Sequence, residues 1–191
     1  MNRTVIIVPS QGHSTNSFLA VATDLRGKLY PHAKIVKTTV AGGGGSGATV
    51  TLSDLSGSAF AFDGVPLLTR VFTISHSFSG AGQNLTYGDP SFGDGGGSQP
   101  WGTDANDGSL SDEGKTFWSS VGDSMQADGM IIMLGCFMGA GQYGANVATT
   151  AQEPVFASTD LFAAGNSETA LKYVTAIEKG IVLKPLKRFD P

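Results

Sequence analysis

The run Gly129-Met-Ile-Ile-Met-Leu-Gly-Cys136 decides the fold. A short, continuous apolar stretch of this kind reads as a strand buried on both faces, the pattern of a parallel sheet. The small-residue turn Phe137-Met-Gly-Ala-Gly141 follows it. Gln142 to Gln152 then has helical pattern, weakened by Gly144. A strand that passes through a tight turn into a helix is the unit of an α/β sheet, and such sheets bind ligands outside the carboxyl ends of their strands. Cys136, the single cysteine of the chain, stands at that place. A helix N-terminus facing it favours the thiolate, the reactive form.

Working outward, the same pattern recurs. Val5-Ile-Ile-Val8, closed by Pro9, is a first buried strand. Asn16 to Leu29 places Phe18, Leu19, Ala22, Leu25 and Leu29 at helical spacing, with Asn16 as candidate N-cap. Ala33 to Val40 reads as a second strand, Gly42 to Gly45 as a turn, and Ala48 to Leu52 as a strand or hairpin arm. Residues 53–69 are ambiguous, with a short helix near Val65 to Leu68 as one reading. Arg70 to Ser75 is the third core strand. Residues 77–111, rich in Gly, Ser, Asp and Asn, read as one long loop, a length that usually goes with function or mobility. Asp112 to Ala127 has a helical apolar side of Phe117, Trp118, Val121 and Met125. Pro154 to Ala157 gives a fifth strand, Ser167 to Lys179 a helix with Ser167 as N-cap, and Ile181-Val-Leu183 a last edge strand. Strands alternating with helices predict an α/β domain with a mostly parallel sheet, spanning residues 1–191 as one unit without internal repeat.

Composition narrows the function. The chain is 40% hydrophobic and 15% charged, so it has a core to bury and is not a disordered segment. A net charge of −4 gives no electrostatic reason to expect nucleic acid or an anionic membrane as partner. One cysteine makes no internal disulfide, which fits a reducing compartment and fits equally a piece of a larger exported protein that needs its thiol. The apolar run near the N-terminus is too short for a signal-peptide core, and no stretch approaches a membrane span.

A second strand end matches the first. Arg70-Val-Phe-Thr-Ile-Ser75 leads into His76, sixty positions before Cys136, and the turn Ser77-Phe-Ser-Gly80 follows. A thiol and an imidazole at two strand ends are the outline of a cysteine hydrolase dyad. The chemistry needs a thiolate, a proton acceptor and donor beside it, and backbone N–H groups for the oxyanion. The order His before Cys is against a papain-like arrangement, whereas caspase-type proteins carry the His about 50 residues before the Cys. Gly80 and Gly135 flank the two side chains and leave room for a substrate backbone. A lone free cysteine is more often a small buried hydrophobe; the matched His76 shifts the balance to a site.

These residues carry a resemblance. Val71-Phe-Thr-Ile-Ser-His-Ser-Phe-Ser-Gly80 resembles the segment ending in His-Gly-x-x-Gly that holds the catalytic His of caspase-like (clan CD) cysteine peptidases. Ile131-Ile-Met-Leu-Gly-Cys136 resembles their nucleophile strand. Leu134 to Gln142 together with Pro154-Val-Phe-Ala-Ser-Thr-Asp160 resembles a bacterial caspase-like domain of unassigned function found in large surface or adhesin-like proteins. The resemblance covers roughly residues 70–165 and implies a three-layer caspase-like sandwich with His76 and Cys136 as dyad. It implies hydrolysis of a peptide bond in another protein or in the chain itself, without a cofactor; the alternative is a non-catalytic interaction module of a bacterial surface protein. A third reading is a cysteine hydrolase acting on a small amide. Ser77 stands where the family has Gly, and the Gln-Ala-Cys-x-Gly signature of true caspases is absent.

Other residues complete or compete with this site. His13, in Pro9-Ser-Gln-Gly-His-Ser14, is the rival base and a candidate to line the substrate pocket. Gly-His-Ser lacks the second glycine of a nucleophile elbow, with Asn16 in its place, so Ser14 is a weak nucleophile candidate. Asp160 after the fifth strand would select Lys or Arg if buried in a pocket; a turn-capping Asp is the equal alternative. Asp89, Asp94, Asp104, Asp107 and Asp112 lack the spacing of a Ca²⁺ loop, the three histidines and one cysteine lack zinc-ligand spacing, and Gly42 to Gly45 lacks the Lys-Ser/Thr of a phosphate loop. Trp101 would pin the long loop to the domain or cover the site, and His32 reads as a turn residue.

Overall fold

The apolar runs pair as the alternation predicts. The computed structural model describes residues 3–8, 15–37, 68–78, 82–84, 109–110 and 112–191, with the backbone alone at 15, 76–78, 82–84 and 112–113. Strands β1 (Arg3–Val8), β2 (Lys34–Lys37), β3 (Leu68–Ile74), β6 (Met125–Leu134), β7 (Val155–Ser158) and β8 (Leu186–Phe189) form one sheet in the order β2-β1-β3-β6-β7-β8. All neighbours are parallel except β8, which runs against β7. Strands β4 (His76–Phe78) and β5 (Gly82–Asn84) make a separate antiparallel hairpin.

Side-chain alternation builds the three layers. Val5, Ile7, Val71, Ile131 and Met133 face the helices α2 (Asp112–Asp123) and α3 (Tyr143–Ala151), packing with Trp118, Val121 and Val147. Ile6, Val8, Phe72, Ile74, Ile132 and Leu134 face α1 (Thr15–Lys28) and α4 (Ser167–Glu178), packing with Phe18, Leu25 and Val174. Both faces of the central strands are therefore apolar, which is why their sequences read as continuous runs. Among the described residues no helix is long and apolar enough to cross a membrane.

Several expectations are corrected. The helix expected to reach Ala127 stops at Asp123, and Met125 is buried as the first residue of β6. A register shift between Leu68 and Arg70 lets β3 pair with Met125 and then Met130, so residues 126–129 bulge from the ladder. Asn166, not Ser167, caps α4: its side-chain carbonyl accepts the Thr169 N–H at 2.8 Å. Asn16 lies inside α1 rather than at its cap. The edge strand is Leu186–Phe189, not Ile181 to Leu183. Gly144 is a packing requirement rather than a weakness, since a Cβ there would lie 2.9 Å from the Phe189 ring. The loop expected from residue 77 onward starts as the β4–β5 hairpin. The expected features at 38–67 and the remainder of that loop, with Trp101 and Asp89 to Asp107, lie outside the described residues.

Charges cluster at the amino edge of the sheet. Arg70 at the start of β3 grips Glu178 of α4 through Nε at 2.7 Å and Nη2 at 3.1 Å, and the Tyr30 hydroxyl donates to the same carboxylate at 2.6 Å. Burial alone would raise the Glu178 carboxyl; the hydrogen bonds from Arg70 and Tyr30 outweigh it and hold the group below its ordinary range. Burial, then the Glu178 contact, pushes the Tyr30 phenol upward, so it remains a donor. The ends of α1 and α4 are thereby latched to β3.

Glu153 is the opposite case. It is buried before β7, and burial first, then Asp128, raises its carboxyl. A raised folded-state value favours the protonated form, so the ionised side chain costs stability above it. Glu153→Gln is expected to raise stability at neutral pH by about 1 kcal/mol, with the gain fading as pH falls through the carboxylate range. Parallel urea titrations of both proteins measure this; a variant less stable at neutral pH would refute it.

Candidate active site

The last paired residues of β3 and β6 are Ile74 and Leu134. The Ser75 N–H still donates to the Leu134 carbonyl at 3.2 Å. Two residues after this last pair in each chain segment come His76 and Cys136, just beyond the carboxyl ends of the two central, adjacent parallel strands. His76 then opens β4, opposite Asn84. Gly135 permits the approach: a Cβ there would sit 2.7 Å from the Ser75 carbonyl and overlap the Met138 methyl. Its missing side chain serves packing between the two strand ends.

Cys136 is half-buried, and its sulfur has defined neighbours. Sγ lies 3.3 Å from both the N and the O of Phe162, accepting from the N–H and donating to the carbonyl. Phe162 is held in turn by an edge-on contact with the Tyr173 ring at 5.2 Å. The turn after β6 is zipped to the loop after β7: the Phe137 N–H donates to the Asp160 carbonyl at 3.0 Å, and the Gly139 N–H to the Ser158 carbonyl at 2.7 Å. The Ala140 N–H donates to the Phe137 carbonyl. Three N–H groups of this turn are thus engaged within the chain. Phe137 sits at φ 55°, a left-handed conformation uncommon for a residue with a side chain. Helix α3 begins only at Tyr143, so the turn stands between the thiol and the helix N-terminus.

The remaining candidates are distributed unevenly. Asp160 is exposed, and its Oδ1 accepts the Leu161 N–H at 2.7 Å while its own N–H meets the Ser158 hydroxyl. It is a turn-forming aspartate at the rim. The expected selection of Lys or Arg required a buried carboxylate, and this one faces solvent. His32 lies at the opposite, amino edge of the sheet in a recess of about 450 Å³ with Tyr30 and Glu178. His13, Ser14 and Gly80 lie outside the described residues. What the sequence reading missed is the basic run Lys184-Pro-Leu-Lys-Arg188, which β8 and the two residues before it bring to the Asp160 rim.

No family model and no curated protein sequence matches the chain. Solved structures are similar to it, among them two of secreted cysteine proteases. One is a secreted C11 cysteine protease from Bacteroides thetaiotaomicron in complex with an irreversible peptide inhibitor, at 12% identity and TM-score 0.46 over 93% of this chain and 54% of that one. The other is of a secreted C11 cysteine protease from the same organism, at 12% identity and TM-score 0.47 over 96% of this chain and 59% of that one. The chain spans little more than half the length of each.

Proposed function

We propose that this chain is a cysteine-dependent peptidase of caspase-like type with Cys136 as nucleophile and His76 as its proton acceptor and donor. The observation that supports the reading is that His76 and Cys136 each come two residues after the last paired residues, Ile74 and Leu134, at the carboxyl edge of adjacent parallel strands, where α/β sheets bind ligands. In the reaction the Cys136 thiol passes its proton to His76, and sulfur attacks the scissile carbonyl carbon. The tetrahedral intermediate collapses to a thioester as His76 protonates the leaving amine, and water then releases the acid. The Phe162 N–H, already on Sγ, steadies the sulfur while the contact to the Phe162 carbonyl is given up. The bond cut lies in another polypeptide or in the chain itself.

Alkylation tests the site before any substrate is known. The folded protein is expected to react with iodoacetamide near neutral pH at least about tenfold faster than the same protein unfolded in urea, because an activated thiol outpaces a free one. Protection on folding would instead mark an inert thiol and favour the non-catalytic interaction module.

A further inference from the structure

The three exposed large hydrophobic side chains among the described residues are Leu161, Ile181 and Val182, at 71%, 51% and 42% exposure. Of the three, Val182 lines a groove. This groove of about 650 Å³ is also lined by Thr159, Asp160, Pro185, Leu186 and three cations, Lys184, Lys187 and Arg188. An exposed apolar side chain set among cations in a cleft offers both an apolar and a charged contact to a ligand. The Thr159 N–H and hydroxyl both donate to the Pro185 carbonyl, at 2.9 and 3.0 Å, so the two walls are fastened together.

The groove adjoins the candidate active site through Asp160, whose carbonyl holds the residue after Cys136. Its charge is opposite to that of the whole chain, which is −4. Asp160 is the single acid among the lining residues and is already turned to the Leu161 N–H. Arg188 pairs with Asp190 at 2.6 Å. No described carboxylate pairs with Lys184 or Lys187, and Lys187 rests its ammonium 4.7 Å over the Phe189 ring. Two unpaired cations beside an apolar floor complement a ligand that carries an apolar side chain next to an acidic one.

We propose that this groove docks an acidic, apolar-anchored flank of the polypeptide on which the Cys136 site acts. The proposal rests on the peptidase reading and names its substrate class: chains with a Leu-like residue followed by Glu or Asp outside the scissile bond. The apolar residue lies against Val182, Pro185 and Leu186, and the carboxylates reach Lys184 and Lys187.

Binding is measured on the Cys136→Ala protein, so that it does not depend on cleavage. Fluorescein-labelled peptides of equal length, differing only in Leu-Glu-Glu, Leu-Gln-Gln or Leu-Lys-Lys, are titrated by anisotropy. The acidic peptide is expected to bind about tenfold more tightly than the basic one at low salt, the gap narrowing at about 0.3 M salt. Replacing Lys184 and Lys187 together by Gln should close the gap while the melting temperature stays put. Equal affinities, or a gap that survives the double replacement, would overturn the proposal. The peptidase reading fails separately: charge-selective binding with no cleavage by the unmutated protein sinks that reading and leaves the groove, whereas cleavage without charge preference sinks the groove alone.

Discussion

Cys136→Ala is expected to remove all peptide hydrolysis and all alkylation, and His76→Ala to lower kcat by a factor of about a hundred to ten thousand, the usual contribution of a positioned acid–base group. Both variants should remain folded. Cys136 is a small, half-buried residue, and its loss leaves the Phe162 N–H at a partly accessible place where water can serve it. His76 begins a short hairpin beyond the main sheet, so its replacement leaves the core ladder intact. Steady-state hydrolysis of a peptide library, with circular dichroism on each variant, provides the measurement. Full activity in folded His76→Ala would remove His76 from the mechanism, and residual hydrolysis in Cys136→Ala would move the nucleophile elsewhere.

Glu178→Ala is expected to be the most damaging substitution away from that site. Arg70 keeps only 11% of its side chain exposed, and Glu178 supplies both of its carboxylate contacts as well as the acceptor for Tyr30. Removing one partner leaves a nearly buried guanidinium without its counter-charge, at a cost of about 2–4 kcal/mol for a pair that is partly solvated. In a domain of this size that lowers Tm by about 5–15 °C. The penalty depends on pH with a definite sign. Glu178 is held below its ordinary range, so its contribution is complete above the unfolded carboxylate value of about 4.3 and is lost as pH falls through the folded value. The two proteins should therefore converge in stability in acid. Replacing Arg70 and Glu178 together by Met is expected to recover much of the loss, because the stranded charge is gone. A variant as stable as the parent at neutral pH, or a penalty unchanged in acid, would refute this account of the latch.

The core was legible in the sequence because buried parallel strands have no polar face to confuse the reading. Val5 to Val8 and Met130 to Leu134 each lie within a strand, and the strand expected at Arg70 to Ser75 runs from Leu68 to Ile74, in the layered, mostly parallel sheet that was expected. Boundaries were less legible where two local signals compete. Asn166 and Ser167 are both good caps, and only the carbonyl's reach to Thr169 decides between them. Met125 fits a helical apolar face and a strand end equally, and the bulge at 126–129 that admits it to β6 is set by β3. Ile181 to Leu183 has a strand's composition but stays out of the ladder, while Leu186–Phe189, with two charges at its centre, pairs with β7 because Leu186 and Phe189 fill the core. At the candidate site, the position of Cys136 followed from its strand. Its contact with the Phe162 peptide did not, since residues twenty-six apart meet only through the fold.

On the proposed reading, the direction of β8 separates reaction from selection. A parallel last strand would have begun at the edge where Arg70 and Glu178 sit. Running the other way, β8 begins beside Ser158, at the carboxyl edge, and brings the residues just before it to the rim next to the thiol turn. Among the described residues that strand pairs only with β7, so its exposed positions are tied to little else in the sheet. Lys184, Lys187 and Arg188 are thus free to drift, or to be redesigned, without disturbing the two central strands that hold His76 and Cys136. One frame is, on that reading, fitted to different partners by changing a handful of residues in and just before β8.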